Sequence, residues 1–177
     1  MRRVIGIDPG LAGGLGVLDL DDAGKVLCVI LHRTPRVAVL RNRRRRDEYD
    51  PAGMYNLLLA TVDGRPVPGI EIALEAQGGR PGQGVASTYR TGVGFGLWLG
   101  LVVSRRVPYR VVAPTVWKHH AGLIGADKRA SRLRAQERFP ALGVVAPADE
   151  GPAEGLLLAA YVAATATKGP VHASRAV

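Results

Sequence analysis

Four acidic residues occupy positions from which carboxylates could act together. Asp8 ends the first apolar run of the chain, and Glu75 ends a later segment in which apolar and polar residues alternate. Glu150 and Glu154 are four residues apart, so they project from one face of a helix. Carboxylates without His or Cys partners suit hard divalent cations such as Mg²⁺ or Mn²⁺. A pair of such ions activates water and stabilises the leaving oxygen of a phosphodiester, which is the chemistry that these residues predict.

Each acid also has a simpler explanation when it is taken alone. Asp149 suits a helix N-cap, and Glu150 would lie in a first turn, where the helix dipole favours acids. Asp8 could start a turn, and Glu75 could be a solvated strand end. These explanations serve Glu154 poorly, because it lies where the helix has already become apolar. A shared cation site accounts for all of these acids at once.

The composition indicates a partner that is negatively charged. The chain of 177 residues has 24 Lys and Arg against 15 Asp and Glu, a net charge of +9. Such a basic domain points to nucleic acid. Its longest apolar run, residues 92–103, is shorter than the roughly 18 residues of a membrane helix. The single Cys28 and the absence of a signal-peptide pattern favour a cytoplasmic setting. A basic protein with an acidic metal site is typical of a nuclease.

The elements that must position these acids follow from hydropathy and turn residues. Three strands joined by short turns form an antiparallel meander, and helices then alternate with strands, which is typical of an α/β domain with a mixed sheet. We expect one domain over 1–177, with a basic segment at 32–50 that is partly exposed and mobile and a short tail from about 169. The expected strands are 2–8, 14–20, 25–31, 70–76 and 107–114; the expected helices are 50–62, 86–103, 114–119, 128–139 and 149–168.

Six motifs occur together in one order along the chain. They are "IGIDPG" (5–10), "ALEAQ" (73–77), "GFGLWLG" (94–100), "PTVWKHHAGL" (114–123), "KRASRLRAQERFP" (128–140) and "DEGPAEGLLLA" (149–159). The ordered set resembles the RuvC-type Holliday junction resolvases, especially their phage and plastid branch. The resemblance implies an RNase H-like α/β fold with a five-stranded mixed sheet flanked by helices. It also implies a homodimer that binds a four-way DNA junction and nicks two of its strands symmetrically with Mg²⁺ or Mn²⁺. The expected location is the cytoplasm or nucleoid of a bacterium or of a phage-infected cell.

The resemblance also implies roles for the acids. Asp8 would bridge two metal ions, Glu75 matches the second acid, and Glu150 and Glu154 match the acid pair of the last helix. The third ligand is either Asp149 or Glu150, and we favour Glu150. Some relatives have an acid or a His three residues before the last acid, where this chain has a glycine at 151. Lys118 matches a basic residue near the scissile phosphate.

The expected DNA contacts are basic or polar residues outside the acidic site. The loop after Glu75 lacks the aromatic residue that stacks at the junction in bacterial relatives, so Arg80 and Gln83 would contact DNA there. The arginines of 41–46 either grip DNA or form a solvated turn. The candidates are Arg80, Gln83, Lys128, Arg129, Arg132, Arg43 and Arg44. For the dimer interface the candidate is the glycine-rich helix 92–103, with Phe95 and Trp98, which could instead only cover the sheet.

Three other functions compete with junction cleavage. An actin-like or sugar-kinase ATPase also begins with Asp and a glycine-rich hairpin, but it needs about twice this length and a second such motif. An RNase H-like nuclease that acts on RNA or other branched nucleic acid is a closer alternative. A DNA-binding module on a decayed nuclease fold is the third, although all four acids are present.

Overall fold

A five-stranded mixed sheet forms the centre of the fold. The computed structural model describes residues 1–41, 43–62, 69–78, 82 and 84–165, without the side chain of residue 128. The strands are β1 (Arg2–Asp8), β2 (Gly14–Leu20), β3 (Val26–Arg33), β4 (Arg36–Arg41), β5 (Arg44–Tyr49), β6 (Ile70–Glu75) and β7 (Tyr109–Val112). The helices are α1 (Pro51–Val62), α2 (Val85–Ser104), α3 (Pro114–Ala121), α4 (Lys128–Arg138) and α5 (Glu150–Ala164).

The order of the central sheet is β3-β2-β1-β6-β7. β1, β2 and β3 form the antiparallel meander that the sequence predicts. β6 lies parallel to β1, and β7 lies parallel to β6. Helices pack on both faces of the sheet, so the predicted α/β fold with a five-stranded mixed sheet is confirmed.

Alternating side chains divide the core into two layers. Ile5 and Ile7 of β1 pack with α1 and α2, in a cluster that includes the fully buried Trp98. Val4 faces the other side and packs in a cluster with Leu156 of α5. This period-2 alternation is the physical reason why β1 serves both layers. The layer that contains α5 is the one that reaches the acidic residues.

Within the basic segment, residues 36–49 form a β-hairpin of β4 and β5, which the sequence does not predict. Its strands pair from Arg36 opposite Tyr49 to Arg41 opposite Arg44. Arg43, at the turn, has a left-handed backbone with φ of 59°. Most of the hairpin is exposed, as predicted. The run of arginines hides the period-2 pattern, which explains why the sequence does not indicate these strands.

The glycine-rich helix α2 buries in the core the face that we expected at a dimer interface. Trp98 is fully buried in the core, so its predicted role in contacting a second protomer is wrong. Phe95 is half-buried against the same cluster. Gly94 packs inward against the hydroxyl of Tyr49. Three other glycines of the helix have open space around the position of a Cβ: Gly92, Gly96 and Gly100.

Some sequence predictions lie outside the described residues. These are Arg80, Gln83, the side chain of Lys128, the tail from 169 and the last residues of the predicted helix 149–168. Over the described ranges, no helix combines the length and apolarity needed to cross a membrane.

Candidate active site

Asp8 and Glu75 end two adjacent parallel strands. The register of β1 and β6 places Ile7 beside Leu74, so the next residue of each strand is an acid. Neighbouring strands are about 4.8 Å apart. Glu75 shares a face of β6 with Ala73, which packs in the α5 layer. The sheet therefore presents both carboxylates on one side, at the carboxyl end of its central strands.

Helix α5 lies unusually close to this face because glycines meet across the interface. A Cβ on Gly6 of β1 would lie 1.9 Å from the carbonyl oxygen of Gly155, and a Cβ on Gly16 of β2 would lie 2.1 Å from the amide nitrogen of Leu156. Real Cβ atoms do not approach so closely, so only glycine permits this backbone contact. Glu154, next to Gly155, is thereby brought to the strand ends.

The surroundings of Gly151 leave no room for the acid or His that some of the resolvases resembled by the sequence have at this position. A Cβ there would lie 2.3 Å from the carbonyl oxygen of Ala12 and 2.4 Å from the Cα of Gly13. The β1–β2 turn thus leaves no room for a side chain at this position. An acid or a His at residue 151 could not fit without moving that turn.

The turn after Asp8 is held by its own hydrogen bonds. The amide of Gly10 donates to Asp8 Oδ1 at 3.0 Å, and the amide of Gly13 donates to the Gly10 carbonyl at 2.9 Å. A Cβ on Gly13 would lie 2.8 Å from the Asp8 carboxyl carbon. Thr34 Oγ1 also donates to the Gly10 carbonyl, at 3.1 Å. Glycine is therefore required here so that the turn can fold against the carboxylate.

The Glu75 carboxylate is buried and receives two protein hydrogen bonds. Its residue is 5% exposed. Trp117 Nε1 donates to Oε2 at 3.0 Å, and Gln77 Nε2 donates to Oε1 at 3.1 Å. These two donors fix the orientation of the carboxylate. The indole comes from α3, so the start of that helix is tied directly to the end of β6.

The electrostatics show that three acids share one neighbourhood. Burial raises the pKa of Glu75 to about 7, and the charges of Asp8 and Glu154 act in the same direction. The ammonium of Lys118 and the indole hydrogen bond oppose this rise. At Glu75, the charges of Asp8 and Glu154 therefore raise the pKa by more than Lys118 lowers it. A further cation would relieve that repulsion.

Glu154 binds two side chains from neighbouring helices. Lys118 Nζ of α3 lies 3.2 Å from Glu154 Oε1. Ser131 Oγ of α4 donates to the same oxygen at 2.8 Å. Lys118 also lies over the Trp117 ring, 5.1 Å from its centroid. Lys118 and Glu154, which belong to separate sequence motifs, are therefore in direct contact.

The other two acids of the last helix lie differently. Asp149 ends a short 3₁₀ helix (Pro147–Asp149) and makes no side-chain cap. Its carboxylate instead accepts two hydrogen bonds from Arg33, at 2.6 and 3.2 Å. Glu150 is half-buried and one turn before Glu154, and the described residues include no hydrogen-bond or ion-pair partner for it. The role of Glu150 as a ligand stays a prediction.

The donor set suits a hard divalent cation. Asp8, Glu75 and Glu154 offer only carboxylate oxygens, which Mg²⁺ and Mn²⁺ prefer. Within the described ranges, no three His, Cys, Asp or Glu side chains are grouped as a finished metal cage. Glu75 and Glu154 direct their oxygens to Trp117 and other protein donors. Ligation would exchange some of these hydrogen bonds for metal contacts.

The predicted DNA contacts fall on two surfaces. Arg43 and Arg44 lie exposed at the end of the β4–β5 hairpin. Arg129 is exposed on α4, and Arg132 is half-buried on the same helix, with a buried Nε that has no hydrogen-bond partner among the described residues. α4 also supplies Ser131 to the acidic site, so its arginines belong to the same region of the fold.

Three side chains at the site were not singled out from the sequence. Gln77 is two residues beyond Glu75, and period-2 alternation could have placed it on the same face. Trp117 directly precedes Lys118 in a motif that we used only for the lysine. Ser131 interrupts a run of arginines in α4, which is a weak signal. None of the three is ionisable under ordinary conditions, so a search for charged residues passes over them.

The comparisons with known proteins support the fold. No protein-family model and no curated protein matches the chain. Solved structures do match, among them a Thermus thermophilus RuvC structure and T. thermophilus RuvC in complex with Holliday junction substrate. These two are 21% and 20% identical, and each match covers 94% of this chain and 98% of the RuvC chain with a TM-score of 0.57. At this identity the likeness establishes architecture alone. The chain therefore has the RNase H-like fold of RuvC.

Proposed function

We propose that the protein is a structure-selective endonuclease that resolves four-way (Holliday) DNA junctions through metal-dependent hydrolysis, with paired symmetric nicks. The observation that supports the proposal is that Asp8 and Glu75 end adjacent parallel strands of a RuvC-like sheet, with the charges of Asp8 and Glu154 both acting on Glu75. The net charge of +9 favours a nucleic-acid substrate. One structure with this fold is a RuvC bound to Holliday junction substrate, which supports the same class of substrate here.

In this proposal Asp8, Glu75 and Glu154 hold Mg²⁺ or Mn²⁺, with two ions in the site and Glu150 as a further ligand. Such ions activate a water molecule and stabilise the leaving oxygen when they are bound. The chain's own contribution is to orient the carboxylates. Trp117 holds Glu75, and the glycine contact between β1 and α5 sets the position of Glu154.

Lys118 supplies positive charge within the site. Its ammonium is 3.2 Å from Glu154 Oε1, and its side chain is 27% exposed, so DNA can reach it. A fixed cation beside the scissile phosphate stabilises charge that develops on the phosphate oxygens in the transition state. We therefore assign Lys118 a role in cleavage as well as in binding.

The remaining basic candidates would bind the DNA backbone. Arg129 and Arg132 of α4 lie on the helix that contacts Glu154, and Arg43 and Arg44 extend from the hairpin. Arg80, Gln83 and Lys128 complete the proposed set from outside the described side chains. Such contacts release counterions, so affinity should fall by orders of magnitude between about 50 and 200 mM salt for 6–10 contacts.

We propose a homodimer, because two equivalent strands require two equivalent sites. The outward face of α2 is the candidate interface. It presents Tyr89, Gly92, Gly96, Gly100 and Val103, with open space around the glycines and with Tyr89 and Val103 exposed. Small residues allow two helices to approach closely. Light scattering of the active protein should report a dimer at micromolar concentration, and an active monomer would overturn this part of the proposal.

A cleavage assay tests the function. Synthetic four-way junctions, duplexes, single strands and RNA–DNA hybrids are incubated with the protein in Mg²⁺, and each strand is labelled separately. Symmetric nicks in the junction alone are expected. Cleavage of RNA-containing substrates but not of junctions would identify a nuclease acting on RNA. Junction binding without cleavage in Mg²⁺ or Mn²⁺ would identify a non-catalytic binding module.

A further inference from the structure

A basic groove lies between the β4–β5 hairpin and the first turns of α2. It has a volume of about 740 Å³, within the range of pockets that hold ligands. Residues 11–12 of the β1–β2 turn form one side, directly after the Asp8 loop. The charged residues that line it are Arg36, Arg45, Arg46, Asp47 and Arg90.

The groove carries more positive charge than its own acid balances. Arg36 Nη1 lies 3.3 Å from Asp47 Oδ2, so this pair is neutral overall. Arg45, Arg46 and Arg90 are exposed, and they form no ion pair with any residue in the described ranges. Three like charges around one groove repel one another unless an anion lies between them.

The hairpin concentrates charge at a cost to its own stability. Arg41 lies directly opposite Arg44, and like charges in that arrangement destabilise strand pairing. Glu48 compensates Arg41 at 2.7 Å. Arg43 adopts a left-handed conformation that is uncommon outside glycine and asparagine. Tight hairpin turns commonly contain left-handed residues, so the concentration of arginine charge, rather than the backbone of Arg43, indicates a polyanionic partner.

The base of the hairpin, opposite its turn, is fixed to the active-site loop by two hydrogen bonds. Tyr49, the last residue of β5, donates its hydroxyl to the carbonyl of Pro9 at 3.2 Å. Thr34, two residues before β4, donates Oγ1 to the carbonyl of Gly10 at 3.1 Å. Pro9 and Gly10 directly follow Asp8. The groove therefore has a defined position relative to the loop that follows Asp8.

We propose that this groove binds the phosphate backbone of a junction arm, as a second DNA-contact surface beside the cleavage site. The inference rests on the proposed nuclease function and adds Arg45, Arg46 and Arg90 to the contacts named above. A polymer fits better than a single anion, because the unpaired arginines come from both the hairpin and α2. The contact is with phosphate, so it should not depend on base sequence.

The test compares the double variant Arg45→Gln/Arg46→Gln with Lys25→Gln/Arg106→Gln. Both remove two exposed charges, but residues 25 and 106 lie at the opposite end of the sheet. Binding to an immobile junction is measured in EDTA at several salt concentrations. Loss of two phosphate contacts should reduce the slope of log affinity against log salt by about 1.8. The affinity ratio of wild type to variant should then shrink roughly tenfold between about 50 and 200 mM salt.

Arg90→Gln is a second variant, which leaves the hairpin intact. Its slope of log affinity against log salt should decrease by about half as much as that of the double variant. If a groove variant had the same affinity and the same salt slope as the control, the groove inference would be wrong. Cleavage of junctions by the wild type would still support the nuclease proposal. The same measurement on plain duplex DNA separates the two proposals. If the wild type cleaved no junction, the nuclease proposal would fail, yet a shallower slope on duplex would still support the groove as a phosphate-binding surface.

Discussion

The two ends of the central sheet differ in the partners of their buried carboxylates. At the amino end of β1, Arg3 donates to both oxygens of Asp19 at 2.7 Å. Glu71, at the start of β6, accepts from Arg2 at 2.6 Å and from Arg110 at 2.5 Å. Every carboxylate in this set has a guanidinium partner. The hydrogen bond and charge of Asp19 also raise the pKa of Arg3, which is the signature of a satisfied pair.

At the carboxyl end the balance is reversed. Burial, together with the nearby charges of Asp8 and Glu154, raises the pKa of Glu75 to about 7, and Lys118 pairs with Glu154. β1 and β6 contribute residues to both sets, so the two sets differ in the charges around the acids rather than in the strands that carry them. Ion pairs hold the sheet together at one end, whereas the repulsion that helps to raise the pKa of Glu75 is a cost that a bound cation can offset. The contrast predicts that changes at one end affect stability and changes at the other affect activity.

The largest effect is expected from Asp8→Asn. The amide can still accept the hydrogen bond from the Gly10 amide, so the turn should survive, but it lacks the charge that holds a metal ion. Junction cleavage in Mg²⁺ should fall by several orders of magnitude. Junction binding in EDTA should hold or tighten, because one negative charge near the phosphate is gone. A cleavage time course beside a gel shift measures both.

The matched control for Asp8→Asn is Asp22→Asn, which changes an exposed aspartate in the β2–β3 turn at the other end of the sheet. It should leave cleavage unchanged. Cleavage by Asp8→Asn at near the wild-type rate would remove the metal-site proposal. Loss of binding with the fold intact would assign Asp8 to positioning DNA contacts instead.

Much of this contrast could be predicted from the sequence. Strand patterns that end in Asp8 and Glu75 predict two acids at one sheet edge, because parallel strands end together. The apolar helix around Glu154 predicts a buried acid. The contact between Gly6 and Gly155 could not be predicted, since it depends on which glycines of two distant segments face each other.

The errors of prediction have physical causes too. The segment 92–103 contains no charged residue, so hydropathy does not distinguish its two faces, and Trp98 was placed outward although it is core. In the hairpin, charges on both faces mask strand alternation. Asp149 has the residue type of an N-cap. Its carboxylate instead accepts a hydrogen bond from Arg33, which is remote in sequence.

At the ion-paired end, Asp19→Asn should reduce stability rather than activity. It leaves the buried Arg3 guanidinium without its counter-charge, which costs about 3–5 kcal/mol. Urea denaturation measures the loss, and cleavage per folded molecule should equal wild type. The double variant Arg3→Met/Asp19→Leu should recover much of the stability, though not all, since the Thr61 carbonyl loses the Arg3 donor. A changed cleavage rate in folded Asp19→Asn would show that the two ends are coupled.

Lys118→Ala removes the ammonium that lies 3.2 Å from Glu154 Oε1. Loss of a transition-state charge contact typically lowers the rate by about 10²–10³-fold. Junction affinity should fall by a smaller factor than the cleavage rate. Lys118→Arg should restore part of the cleavage rate. Single-turnover cleavage and equilibrium binding separate the two effects. An equal loss in both would make Lys118 an ordinary backbone contact.

The smallest effect, and the one opposite in sign, is expected from Glu75→Gln in metal-free protein. The folded state raises the pKa of this acid from 4.5 to about 7, so between these values it binds more protons than the unfolded state. Stability from this group is therefore lost as pH rises through that window, by up to about 3 kcal/mol above it. The amide side chain of the variant carries no charge, so the variant does not lose this stability as the pH rises. Urea denaturation in EDTA should show Glu75→Gln more stable than wild type near pH 8, with the difference shrinking toward pH 5. A less stable variant near pH 8 would mean that the hydrogen bonds from Trp117 and Gln77 to the carboxylate outweigh its repulsion by the neighbouring acids.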